Sequence, residues 1–182
     1  VLDFEGTQQK LAEQRLRDLE NWNPAGMEGG ASGWINTYTG KKVYPLDLQL
    51  HDLDIVDIAH ALSHVCRYAG HVSRFYSVAQ HSVHVSQFVP PQYALWGLLH
   101  DASEAYLGDV PRPWKKAPWM AQYRAAEARV METVVEFFGL DPKTEPPEVK
   151  EVDRLICGAE ADLLMRKHPD WVTPEYPEHW RM

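Results

Sequence analysis

From Pro45 onward the apolar residues recur at three- and four-residue intervals, the spacing of one buried helix face. Asp54 is placed to cap a helix over residues 54–68, with Ile55, Ile58, Ala59, Leu62 and Val65 as its apolar set and Gly70 as its stop. A second helix is predicted over 77–89, halted by Pro90-Pro91, and a third over 92–107, halted by Gly108. Pro111, Pro113 and Pro118 predict a stiff, irregular connection. A fourth helix is expected over 119–138, ending at Gly139. A fifth starts at Pro146-Pro147, where a first-turn proline loses no hydrogen bond, and runs to 167. The tail from Trp171 reads as a packed, irregular arm.

The front of the chain reads differently. Thr7 is placed to cap a helix over 7–20, with Leu11, Leu16 and Leu19 on one side. Asn23-Pro24-Ala25-Gly26 and Gly29-Gly30 then make the most linker-like stretch. Two β-prone runs, 34–38 and 41–45, flank Thr39-Gly40 and predict a small hairpin. The expected fold is mainly α, with a small N-terminal β-hairpin. Residues 1–182 are read as a single domain, of which 1–50 are a helix and hairpin extension. Helical bundles build metal sites well, because side chains from facing helices converge.

Composition narrows the function. The chain has 182 residues, 45% apolar and 24% charged, as in an ordinary single globular domain. Its net charge of -8 argues against a duplex nucleic-acid binder, which carries a basic stripe. It leaves room for a phosphate-bearing small molecule, because a bound metal supplies local positive charge. Cys66 and Cys157 form no CxxC pair and read as buried free thiols, which fits a cytoplasmic location. The start, Val1-Leu2-Asp3-Phe4-Glu5, lacks the marks of a signal peptide. No apolar run approaches the ~18 residues of a membrane span, so no membrane partner is expected.

Nine histidines give several possible ligand pairs. His60 and His64 share a helix face, as do His81 and His84, and His100-Asp101 is followed by Glu104 and Asp109. Spacing alone does not choose among them. The setting of His100 is nonetheless unusual. An apolar lead-in, Ala94 to Leu99, ends abruptly in His-Asp. Burying an unpaired carboxylate costs several kcal/mol, so Asp101 must be paired, neutralised or metal-bound. A local cap or salt bridge would satisfy it as well as a metal would.

Gln80-His81-Ser82, then Leu98-Leu99-His100-Asp101-Ala102-Ser103-Glu104, Gly108-Asp109 and Val152-Asp153-Arg154 together resemble the HD superfamily of phosphohydrolases. The likeness is to its bacterial 5′-deoxynucleotidase branch and to phage deoxynucleoside triphosphohydrolases. It implies an HD-domain helical bundle. It also implies that His81, His100, Asp101 and Asp153 bind one divalent transition metal, Mn²⁺, Co²⁺, Fe²⁺ or Zn²⁺. Additional Mg²⁺ would accompany a triphosphate. Glu104 would orient or deprotonate the attacking water, and Asp109 would assist proton transfer or hold the sugar side. Arg67 would bind phosphate, with Arg74 as a weaker candidate. Lys115 and Lys116, with Arg112, would either reach further phosphates or form a solvated basic loop. Trp34 and Tyr68 would pack against a base, with plain core packing the alternative for Trp34. Three functions remain open: a (deoxy)nucleotide phosphomonoesterase, a deoxynucleoside triphosphohydrolase and a non-catalytic nucleotide-sensing module. The expected partner is a small-molecule nucleotide, and the resemblance suggests a homo-oligomer.

Overall fold

The computed structural model describes residues 33–180, which fall in one unit, Gly33–Met182. The helix expected over 7–20 and the break at 23–30 lie outside the described residues. The hairpin is present. Strand β1 (Ile35–Asn36) pairs antiparallel with β2 (Lys42–Val43), Ile35 opposite Val43. Gly40 takes a φ of +86° in the turn, a conformation that only glycine adopts without strain. Helix α1 (Ile55–His64) is capped by Asp54, whose carboxylate accepts the Val56 N–H at 2.9 Å. Buried Asp57 on α1 fastens the hairpin: its two oxygens accept the Thr39 N–H at 2.7 Å and the Thr39 hydroxyl at 2.8 Å.

Helix α1 stops at His64, four residues short of the expected 68. The β-branched Val65 turns extended and starts a short antiparallel pairing that apolar spacing alone does not reveal. Val78 N–H donates to Val65 O at 3.0 Å, Arg67 N–H donates to Tyr76 O at 3.0 Å, and Cys66 bridges Ser77. Tyr68 and Ala69 then adopt left-handed φ values of +56° and +51°. Each costs about 1 kcal/mol or more. The side chains that hold this turn belong to the candidate site.

Helix α2 (Val78–Phe88) opens with a reciprocal cap: Gln80 N–H donates to Ser77 Oγ at 3.1 Å and Ser77 N–H to Gln80 Oε1 at 3.0 Å. The helix expected over 92–107 is broken. Helix α3 (Ala94–Leu99) and the one-turn α4 (Glu104–Leu107) are joined by tighter bonds, Ala102 N–H to Leu99 O at 2.9 Å and Glu104 N–H to Asp101 O at 3.0 Å. The Pro-rich connection is more regular than expected, holding α5 (Arg112–Lys115) and a 3-10 turn at Pro118–Met120. Helix α6 (Ala121–Phe138) ends at a left-handed Gly139. Helix α7 (Pro147–Leu164) ends three residues before 167.

The architecture is mainly helical with one two-stranded antiparallel sheet. Ile58, Leu62, Val78, Leu99, Val134 and Ile156 tie the helices into one core. At Gly97 the backbones of α3 and α2 come so close that a Cβ would lie 2.9 Å from Ser86 Cα. The tail packs as the sequence suggests: the Tyr176 hydroxyl donates to Asp162 at 2.7 Å and Trp180 rests on Phe88. Among the described residues no helix is long and apolar enough to cross a membrane.

Candidate metal centre

Helices α2, α3 and α7 bring His81, His100, Asp101 and Asp153 together. His81 is fully buried on α2. His100 and Asp101 occupy the break between α3 and α4, so the departure from helix geometry is the place where the acid and the imidazole turn inward. His81 Nε2 lies 3.3 Å from His100 Nε2 and 3.2 Å from Asp153 Oδ1. Asp101 Oδ2 is 3.3 Å from His100 Nε2 and 3.8 Å from His81 Nε2.

The partners of the other ring nitrogens assign the tautomers. His81 Nδ1 faces Glu160 Oε1 at 2.6 Å, and His100 Nδ1 faces Gly97 O at 2.8 Å. Both partners are acceptors, so both Nδ1 atoms donate. In the neutral rings the two Nε2 lone pairs then face each other beside two carboxylates. Such an arrangement repels itself unless positive charge sits among the four groups. A proton is the smallest answer. Burial opposes the imidazolium of His100, but Asp101 and Asp153 bring its pKa up to about 9. Burial would likewise raise Asp153, yet His81 and His100 hold it down at about 2. A divalent cation is the fuller answer. His81, His100 and Asp101 form a group that can hold a metal ion, their ligand atoms lying within 4.8 Å of one another. The donor set is two carboxylates and two imidazoles, each imidazole held at Nδ1 by a second partner as metal-ligating histidines generally are.

Behind the cluster stands a residue that sequence reading missed. Glu160 has 0% exposure. It accepts from His81 Nδ1, from Arg67 Nε at 3.1 Å and from the Tyr68 hydroxyl at 2.8 Å. Burial alone would raise its pKa, but His81 and Arg67 pull it down to about 2. Arg67 also reaches Asp101 at 3.5 Å and Cys157 Sγ at 3.3 Å. Burial opposes its charge, and Glu160, Cys157 and Asp101 more than restore it. The left-handed turn at Tyr68 is held by that hydroxyl bond to Glu160 and by another to Cys157 O at 3.2 Å. A signal for Glu160 did exist: Asp153, Cys157 and Glu160 follow at i, i+4 and i+7, one stripe of α7.

Glu104 is 5% exposed, and its Oε2 has no hydrogen-bond partner. Its pKa is raised to about 9 by burial and by the negative charges of Asp101 and Asp109. Asp109, half-buried after α4, is raised too, by burial against the pull of Arg67. Lys115 faces Glu127 at 2.7 Å and Glu104 at 3.6 Å. Arg112 reaches from α5 to Asp153 Oδ2 at 3.3 Å. The remaining expected substrate contacts lie farther out. Trp34 is 53% exposed beneath Lys42, and Arg74 and Lys116 are exposed, with no described bond joining any of the three to the cluster. His60 and His64 lie away from it on α1, where His60 stacks on Tyr38 at 3.6 Å.

No protein-family model matches this sequence. Two curated proteins are similar over most of their length. The uncharacterized protein YfdR of Escherichia coli is 42% identical over 127 residues, 70% of each chain. An uncharacterized protein of Rhodobacter capsulatus is 34% identical over 143 residues, 72% of each chain. With that identity across more than two thirds of both chains, this protein belongs to the family that includes YfdR.

Proposed function

We propose that this chain is a divalent-metal-dependent phosphohydrolase of the HD kind, cleaving the phosphate ester of a (deoxy)nucleotide. The observation that carries the reading is the convergence of two imidazole lone pairs, each fixed by a bond at Nδ1, with the carboxylates of Asp101 and Asp153. A proton relieves the repulsion among these groups by one charge, and a divalent ion held by two imidazoles and two carboxylates relieves it by two. His81, His100, Asp101 and Asp153 would hold the ion. When bound, the ion supplies Lewis-acid chemistry, offsetting charge on the phosphoryl group and making water a better nucleophile.

The chain's own residues do the rest. Glu104, ionised once the positive charge of a bound ion offsets Asp101, would accept the attacking water's proton at Oε2, where no other bond competes. As water adds to phosphorus the bond to the leaving oxygen breaks. Asp109, with its raised pKa, returns a proton to that oxygen. The sensing-module alternative gives Glu104 no task, and a buried carboxyl oxygen without a partner is costly to keep. The triphosphohydrolase alternative needs free cations for the extra phosphates. Lys115, engaged by Glu127, is not free for that role, which leaves Arg112 and Lys116 as the candidates.

The test is a substrate panel. Metal-stripped protein is reloaded separately with Mn²⁺, Co²⁺ and Zn²⁺ and given mono-, di- and triphosphate nucleotides of both sugars, with products resolved by anion exchange. The expected result is nucleoside plus phosphate from a monophosphate, abolished in Asp101→Ala together with metal uptake. Preferential release of tripolyphosphate would move the assignment to the triphosphohydrolase. Nucleotide binding without turnover under every metal would defeat both enzyme readings.

A further inference from the structure

Three described cations touch the cluster or Glu104, and they are not equivalent. Arg67 is buried, and its Nε, Nη1 and Nη2 each have a protein partner. Lys115 is held between Glu127 and Glu104. Arg112 has a side chain 60% exposed and makes one described bond, Nη2 to Asp153 Oδ2 at 3.3 Å. A guanidinium has five N–H donors in a planar fork, so most of those of Arg112 face solvent at the mouth of the cluster. Asp153 is divided in the same way. Its Oδ1 looks inward to His81 Nε2 at 3.2 Å and accepts from Cys157 Sγ at 3.4 Å, while its Oδ2 looks outward to Arg112.

We propose that Arg112 is a two-position group: it holds the outer oxygen of Asp153 when the site is free of phosphate and transfers its fork to the phosphate when one binds. The proposal rests on the metal-dependent reading and adds which residue seizes the anion and what it gives up to do so. The physical case is competition. An arginine beside a metal-ligating carboxylate draws that carboxylate away from the metal and places like charge near the cation. A phosphate dianion offers the same fork two oxygens in the matching bidentate geometry. Removing Arg112 therefore acts in opposite directions on the two ligands. It strengthens metal binding and weakens phosphate binding. A residue that merely braced the fold would weaken both.

Isothermal titration separates these outcomes without relying on turnover. The full chain, Arg112→Ala and Arg112→Lys are titrated first with Mn²⁺ alone, then, once loaded, with inorganic phosphate. Arg112→Ala is expected to bind Mn²⁺ several-fold more tightly and phosphate about tenfold or more weakly, the scale of a lost charged hydrogen bond. Arg112→Lys, with a point charge but no fork, should fall between wild type and alanine in both. Phosphate affinity unchanged in Arg112→Ala, or both affinities lowered together, would overturn the proposal while leaving the metal site standing. A wild-type chain that takes up no Mn²⁺ would instead defeat the metal reading itself, and this one with it.

Discussion

The cluster has two walls built from the same kinds of residue. On the inner wall Arg67, Glu160 and the far nitrogen of His81 are buried, Tyr68 is half-buried, and they are joined through Glu160 at 2.6 to 3.1 Å. On the outer wall Glu104 keeps one oxygen without a partner, Asp109 is half-buried, and Arg112 reaches in from solvent with a single described bond. The contrast separates two jobs that composition alone would merge. A charged group whose partners are all protein atoms positions its neighbours, whereas one with an open atom is available to water or substrate. By that criterion Arg67 and Tyr68 brace His81, and the proposed chemistry would belong to the side where Glu104 and Arg112 stand.

The contrast is open to attack by substitution. The largest effect is expected at Glu160. Changing Glu160→Ala strips the bonds from His81, Arg67 and Tyr68 at once and leaves Arg67 and His81 under-compensated in the interior, which should cost about 3–5 kcal/mol of stability. Metal affinity should also fall roughly 10–100-fold as His81 loses its fixed orientation. Urea unfolding and Mn²⁺ titration measure the two losses. The matching change on the outer wall, Arg112→Ala, should leave stability within about 1 kcal/mol, as for other exposed ion pairs. Similar losses from both would erase the distinction between the walls.

Next comes Glu104→Gln, which preserves shape and removes the proton acceptor. Turnover should drop about 10²–10⁴-fold while Mn²⁺ affinity stays near wild type. Full activity in this variant would take the base role away from the outer wall. A smaller effect is expected at Gly97→Ala. The added methyl would press on the Ser86 backbone, prising α3 from α2 for about 1–3 kcal/mol. Because those helices carry His100 and His81, the metal titration should register the change along with the unfolding curve. The smallest is Tyr68→Phe, which removes one of several bonds to Glu160 for about 1 kcal/mol. Its KM should not move; a rise in KM at constant stability would place Tyr68 against substrate instead.

The outer wall was more legible in the sequence than the inner one, and the reason is chemical. His100-Asp101 announces itself because a polar pair interrupts an apolar run, and Glu104 and Asp109 follow within ten residues. Glu160 sits in a helix whose polar residues look like any solvated stripe. Its spacing from Asp153 puts it on the stripe that faces the site, but its burial between Ala159 and Ala161 emerges only from the packed fold. The helix ends show the same limit. Caps at Asp54, Ser77 and Gly139 are local chemistry and were readable. The breaks at Val65 and at His100–Ser103 come from bonds to Tyr76, Val78 and Gly97 that no periodicity encodes.

The bond from His81 to Glu160 joins residues 79 positions apart, and Arg67 reaches 93 positions to the same carboxylate. During synthesis, at about 5–20 residues per second, roughly 4–16 s separate the appearance of His81 from that of Glu160. For that interval Arg67 and His81 lack the carboxylate that braces both in the folded chain, and the inner wall cannot assemble. Most of α7, as far as Glu160, must be made before His81 can meet its brace, so a chain interrupted in that helix would lack the brace rather than hold a weakened version of it.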